Sequence, residues 1–171
     1  MFTSLVLTVV GRDRPGLVSV LSKRISEHDG NWLDSRMANL AGQFAGLLLV
    51  QVPTERANAL VATLQELEAQ GLRVLIEHGE TPAAAVSQAM QLELTGHDRP
   101  GIVRDISETL AQRAVSIDEM QSRSFSASFS GETLFEMKAN LRVPENVDQA
   151  MLKSAVEALA TDLIVEIHVT L

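Results

Sequence analysis

One eight-residue pattern occurs twice in the chain, and this repeat restricts the possible folds more than any other feature. GRDRPGLV at residues 11–18 recurs as GHDRPGIV at residues 96–103, an offset of 85 residues. The apolar positions that follow keep this offset: Leu21 corresponds to Ile106, and Ile25 to Leu110. Self-similarity over such a distance indicates two copies of one structural module in tandem.

The offset changes once along the repeat. Val52-Pro53 corresponds to Val143-Pro144, now 91 residues apart. The second copy is therefore about six residues longer than the first. The serine-rich stretch before Gly131, where Ser122, Ser124, Ser126, Ser128 and Ser130 alternate with other residues, is the expected place of the extra residues. The alternation predicts that the serines lie on one face of a strand and the residues between them on the other. Either the serines face solvent and Phe125 and Phe129 pack in the core, or the small serine side chains form a surface that another chain approaches closely.

Each copy shows the same succession of periodic patterns. Alternating apolar residues predict a first strand, and apolar residues at helical spacing after Pro15 and Pro100 predict a helix that begins at each proline. Two strands joined by a short turn, a second helix and a final strand follow. The paired strands are predicted at Trp32–Leu40 and Gln43–Val52, and at Ser116–Ala127 and Glu132–Val143. The second helices would bury Leu60, Leu64 and Leu67, and Met151, Val156 and Leu159.

The order βαββαβ predicts an α+β fold of ferredoxin-like type: a four-stranded antiparallel sheet with two helices on one face. We expect one such module at residues 1–79, a linker at residues 80–87, and the second module at residues 88–171. Because the other face of each sheet stays open, pairing of modules and a homo-oligomer are expected.

The composition narrows the function classes. The chain has no cysteine and a net charge of −8, which argues against cysteine chemistry and against direct binding to nucleic acid. No signal sequence, membrane span, metal-ligand spacing or catalytic nucleophile motif is found, so we expect a cytoplasmic binding protein with no cofactor, no metal and no enzymatic activity.

A strand, then Gly-x-Asp-Arg-Pro-Gly, then an amphipathic helix within βαββαβ resembles the ACT domain, a regulatory module that binds small molecules. Two such domains covering nearly the whole chain resemble the glycine cleavage system transcriptional repressor family. The resemblance implies a ligand held between this loop and the start of the second strand of a neighbouring module.

The expected ligand site therefore combines the two loops with the second strands. In the first copy its residues are Gly11, Asp13, Arg14, Pro15, Gly16, Asn31 and Asp34; in the second they are Gly96, His97, Asp98, Arg99, Pro100, Gly101 and Asp118. A helix start offers unpaired amides to a carboxylate, and Asp13 or Asp98 could accept hydrogen bonds from an ammonium group. The same residues also suit a plain structural turn, so both interpretations stay open.

The resemblance implies a regulator of transcription that represses the glycine cleavage system through contact with a DNA-bound activator protein. Its effector would be a small amino acid such as glycine. The alternative is a free-standing regulatory subunit of an amino-acid or folate enzyme, since ACT modules are also fused to such enzymes.

Overall fold

The computed structural model describes residues 1–79, 87–127 and 131–169. The chain divides into two compact units, Met1–Ala83 and Ala84–Leu171, which we call the first and second modules. The predicted linker at 80–87 lies outside the described residues except for Ser87, where the first strand of the second module begins. None of the described helices is long and apolar enough to cross a membrane.

The first module contains four strands and two helices. Its elements are β1 (Phe2–Arg12), α1 (Leu17–Ser26), β2 (Asn31–Leu40), β3 (Gln43–Pro53), α2 (Thr54–Gln65) and β4 (Leu72–His78). A short 3₁₀ segment, Glu66–Gln70, extends α2 and ends at Gly71, whose φ of 82° lies in the left-handed region.

The second module repeats this order. Its elements are β5 (Ser87–His97), α3 (Ile102–Ala111), β6 (Ser116–Ser126), β7 (Thr133–Pro144), α4 (Gln149–Glu157) and β8 (Ile164–Val169). The predicted βαββαβ arrangement is confirmed in both modules, and the predicted strand bounds agree with the observed ones within one residue.

The strand order is β2-β3-β1-β4 in the first sheet and β6-β7-β5-β8 in the second, with every neighbouring pair antiparallel. The first strand of each module is therefore central. Its alternate side chains point to the helices: Leu5, Leu7 and Val9 are buried in the first module, where they pack in one core with the apolar faces of α1 and α2. The second module has a separate core of the same kind around β5.

The extra residues of the second module lie in the hairpin between its second and third strands. Leu40 pairs with Gln43 across a two-residue turn in the first module, whereas Phe125 pairs with Leu134 in the second. This confirms the predicted place of the insertion. Three of its residues, Ser128, Phe129 and Ser130, lie outside the described residues.

Three details of the prediction are wrong. Pro15 and Pro100 lie two residues before their helices, because a turn with a left-handed glycine intervenes. Met151 is exposed and its neighbour Leu152 is buried instead, because Leu152 lies four residues before the buried Val156 and so on the same face of the helix. Phe125 lies on the sheet face away from the helices, where the Arg123 guanidinium lies 4.9 Å from its ring centre.

Candidate functional site

The two repeated loops connect the central strand of each module to its first helix. Gly16 and Gly101 have φ of 91° and 89°, a left-handed conformation that favours glycine. In the second module the Ile102 N–H donates to the Arg99 carbonyl over 3.2 Å, which closes a turn with Pro100 and Gly101 at its centre. This is the arrangement of a type II turn, and it explains the Arg-Pro-Gly order.

Gly11 and Gly96 are required for a different reason, close approach of the last strand. A Cβ added to Gly11 would lie 2.4 Å from the carbonyl oxygen of Gly71, and one added to Gly96 would lie 2.6 Å from a methyl group of Leu163. Both glycines therefore shape the end of the sheet on which the loop rests, and neither needs a ligand to explain it.

The helices that follow the loops begin without a side-chain cap. The first helical hydrogen bonds run from the Val20 N–H to the Gly16 carbonyl, 2.9 Å, and from the Asp105 N–H to the Gly101 carbonyl, 3.0 Å. Amides in the first turn of a helix lack a partner within the helix and favour an anion. The loops thus offer one half of what an amino acid requires, a place for its carboxylate.

Asp13 and Asp98 offer the other half. Their backbone N–H groups donate to the Gly42 and Thr133 carbonyls over 3.0 and 2.9 Å, which fixes both loops to the neighbouring hairpin. Both side chains are exposed. Within the part of the chain that the structure describes, neither carboxylate has a hydrogen-bond or ion-pair partner, so each is available to an ammonium group.

The arginines of the two loops differ in their contacts. In the second module Asp105 binds two arginines, with Arg99 at 2.7 Å and Arg104 at 2.8 Å. Hydrogen bonds from Arg104 and then Arg99 lower the pKa of Asp105. Arg104 covers Gly101, since a Cβ there would lie 3.0 Å from its guanidinium. In the first module Arg14 instead donates to the Gln70 carbonyl, 3.1 Å, and the space over Gly16 is open.

His97 joins three segments of the second module. Its backbone N–H and its Nδ1 each lie 2.9 Å from Oδ2 of Asp162, and its Nε2 lies 3.2 Å from Oε2 of Glu132. These hydrogen bonds, with Asp162 first and Glu132 second, raise the pKa of His97, and His97 lowers the pKa of Asp162. His97 therefore has protein partners that sequence reasoning missed, because they are 65 and 35 residues away in the chain.

The predicted second-strand residues do not meet the loop of their own module. Asn31 aligns across the sheet with Gln51 and Ser4, seven residues along β1 from Gly11. At about 3.3 Å per residue this separates them from the loop by about 23 Å. A site that uses both sets therefore requires a second ACT-like module beside the first.

Asp34 and Asp118 already have partners, and they are not equivalent positions. Asp34 accepts hydrogen bonds from Arg36 and from the Ser35 N–H, which lower its pKa. Asp118 pairs with Arg142 at 2.9 Å and lies at the β-bulge where β6 shifts register. The bulge in β2 falls at Leu33, so Asp118 corresponds to Leu33 and not to Asp34. No group of three or more histidine, aspartate or glutamate side chains in the described ranges is arranged to hold a metal ion.

Comparison with known proteins agrees with this architecture. The ACT domain family matches residues 3–77 and again residues 90–160. The glycine cleavage system transcriptional repressor of Escherichia coli (strain K12) is 25% identical over 162 residues, which cover 93% of this chain and 85% of that protein.

Two solved structures match the chain over its full length. An unknown protein from Galdieria sulphuraria matches with a TM-score of 0.88 and 25% identity, covering 100% of both chains. A protein provisionally assigned as a glycine cleavage system transcriptional repressor matches with a TM-score of 0.71 and 20% identity over 99% of both chains. From the repeat, the two sheets and these matches, the chain belongs to the ACT domain family and consists of two ACT domains in tandem.

Proposed function

We propose that this protein is a non-enzymatic regulator that represses genes of glycine cleavage, by contacting a DNA-bound activator protein in response to a small amino acid such as glycine. The observation that carries the proposal is the similarity to the Escherichia coli repressor, because it extends over both ACT domains and 93% of the chain. That full-length similarity favours a transcriptional regulator over a regulatory subunit of a metabolic enzyme.

The effector would bind at the loops of the two modules, with its carboxylate on the first-turn amides after Gly16 or Gly101. Its ammonium group would lie near Asp13 or Asp98. Support comes from the uncapped helix starts and from the two exposed carboxylates without protein partners in the described residues. Residues of a second strand, such as Asn31 or Asp118, would have to come from another module, given the distance within one module.

The first loop is the better candidate. Space over Gly16 is open, and α1 has no acidic residue in its first turn. In the second module a ligand must displace Arg104 from above Gly101, where Asp105 holds it with two hydrogen bonds of 3.0 and 2.8 Å. We therefore expect the first module to bind the effector more tightly than the second.

Calorimetric titration of the purified protein with glycine and the other amino acids tests the site. Asp13→Asn removes the charge while keeping the shape, and loss of one charge-assisted hydrogen bond should weaken binding by about 1.5–3 kcal/mol, roughly tenfold or more. Asp98→Asn is the matched control in the second loop and should have the smaller effect. If both variants bind as the wild type does, the loops are structural turns and the site lies elsewhere.

Deletion of the gene tests the regulatory role. In the cell that encodes the protein, transcripts of the glycine cleavage genes should rise in the deletion strain when glycine is absent, and the wild-type gene should restore repression. Complementation with the Asp13→Asn gene should restore repression but not its response to glycine. Transcript levels that ignore the deletion in every medium would contradict the proposal.

A further inference from the structure

The sheet of the first module has an apolar outer face, on the side away from its helices. Three rows of side chains cross the four strands there in the order β2, β3, β1, β4. The rows are Asp34, Leu49, Val6 and Glu77; Arg36, Leu47, Thr8 and Leu75; and Ala38, Ala45, Val10 and Arg73. Leu47 and Leu75, in the middle row, are 52% and 59% exposed. We call these twelve positions the outer face.

The second module shows what a solvated version of this face contains. Its corresponding rows are Glu119, Asn140, Gln91 and His168; Gln121, Lys138, Glu93 and Glu166; and Arg123, Glu136, Thr95 and Ile164. Lys138 and Glu166 stand where the first module has Leu47 and Leu75. Ion pairs cross this face, among them Lys138 with Glu93 at 3.0 Å and Arg123 with Glu136 at 2.6 Å.

The contrast indicates that the outer face of the first module is built to be covered. The two modules share one fold, so the sheet itself does not require leucine at these positions. The largest exposed apolar patch of a soluble monomer, usually a few hundred Å², is often a functional surface.

We propose that the occupant is the same face of a second copy of this chain, related by a two-fold axis that runs across the strands along the middle row. Such an axis places the first row of one copy over the third row of the other. Sheets that pack face to face in this way keep their strands roughly aligned, about 10 Å apart.

Side-chain size and charge suit this axis. Leu49 meets Ala45 of the other copy, a large residue against a small one, and Val6 meets Val10. On the edge strand, Glu77 meets Arg73 of the other copy, and the symmetry forms this pair twice. The middle row meets the same row of the other copy, so Leu47 faces Leu47 of that copy and Leu75 faces its Leu75.

The middle row also contains a cation, Arg36, which would face Arg36 of the other copy. Its guanidinium pairs with Asp34, so its charge is already neutralised within the module. Twelve positions cover about 300–400 Å² in each copy at the usual strand spacings, which is less than the roughly 800 Å² per partner of a standard stable interface. The structure therefore points to a reversible dimer, and its equilibrium is measurable by sedimentation over a range of protein concentrations.

Two substitutions transplant the residues of the second module onto the outer face. Leu47→Lys and Leu75→Glu should each raise the dissociation constant of the dimer about tenfold or more, since a buried leucine side chain contributes at least that much. Lys138→Ala, at the position in the second module that matches Leu47, should leave the dimer unchanged. Circular dichroism checks that each variant is folded. A wild-type chain that remains monomeric up to millimolar concentration, or a folded Leu47→Lys protein that dimerises like the wild type, overturns the proposal.

Charge reversal tests the axis itself and does not disturb the apolar centre. Arg73→Glu and Glu77→Arg should each weaken the dimer severalfold, because each places like charges together at two symmetry-related places. The double variant should restore association, since the reversed pair again has opposite charges. Arg73 also pairs with Glu68 of its own chain at 3.3 Å, so Glu68→Gln is the control and should not change the equilibrium. Failure of the double variant to recover association overturns the two-fold arrangement, and the outcome does not depend on any effector.

Discussion

At the scale of single residues, the four glycines of the repeated loops have two different physical functions. Gly16 and Gly101 supply a left-handed φ, whereas Gly11 and Gly96 have ordinary φ values and are needed because the last strand comes close. The sequence alone shows all four as one motif. Only the structure separates a conformational requirement from a steric one.

Substitution of the two crowded glycines should therefore have unequal effects. Gly11→Ala places a Cβ against a backbone carbonyl, which moves only if the strand end moves, so we expect a loss of about 1–3 kcal/mol in the free energy of unfolding. Gly96→Ala meets the end of the Leu163 side chain, which can rotate, and should cost less. Urea denaturation of both variants measures the difference, and equal losses would contradict the steric explanation.

His97 should titrate above the ordinary range of histidine. Hydrogen bonds to Asp162 and Glu132 raise its pKa in the folded state, so the protonated form is favoured by folding. The resulting stabilisation is fully present below the unfolded pKa and is lost as pH rises through the folded pKa. NMR titration of the ring protons should show the raised pKa, and Asp162→Asn should return it towards the ordinary value. A His97 pKa that is the same in both proteins would mean that the contact is not formed in solution.

At the scale of elements, the second helices of the two modules begin differently. Pro53 precedes α2 and provides no side-chain cap, whereas Asp148 precedes α4 and accepts a hydrogen bond from the Met151 N–H, 2.7 Å. This helix is also short, nine residues from Gln149 to Glu157. A short helix depends more on its cap than a long one does.

Asp148→Ala should cost about 1 kcal/mol of the stability of the second module, the usual contribution of an N-cap side chain. Asp148→Asn and Asp148→Ser keep an acceptor and should retain most of it. Thermal denaturation of the three variants provides the comparison. If alanine is no worse than asparagine, the Asp148 side chain is not capping the helix.

The sequence predicts helices and strands well where apolar periodicity or turn-forming residues mark them. It predicts side-chain contacts less well, because these join residues that are far apart in the chain. The strands and helices follow from alternation, helical spacing and the comparison of two copies of the repeat. The cluster of Arg99, Arg104 and Asp105 and the partners of His97 could not be predicted, since the fold rather than the spacing brings them together. The displacement of Pro15 from its helix was missed for a local reason: the left-handed turn at Gly16 adds two residues before the helix starts.

At the scale of the whole molecule, the net charge bears on whether the protein can bind DNA directly. The net charge of −8 leaves little attraction for phosphate, which supplies most of the non-specific affinity for DNA. Regulation through a protein that is itself bound to DNA avoids this difficulty, in agreement with the proposed function.

The protein alone should therefore not retain promoter DNA at physiological salt. An electrophoretic mobility assay with the purified protein should show free DNA, with and without glycine, and a shifted band should require the activator. A footprint produced by the protein alone would contradict this prediction and would favour a direct DNA-binding role.

The central position of β1 in its sheet has a consequence for the chain as it is synthesised. β1 is made first, yet its second partner, β4, is complete only at His78, so one edge of the central strand remains unpaired until nearly the whole first module has left the ribosome. None of the strands described in the second module joins that sheet, and the first module can therefore close while the second is still being translated. Nascent chains arrested before Leu72 should be open to proteolysis throughout the first module, and chains arrested well beyond His78 should be protected there.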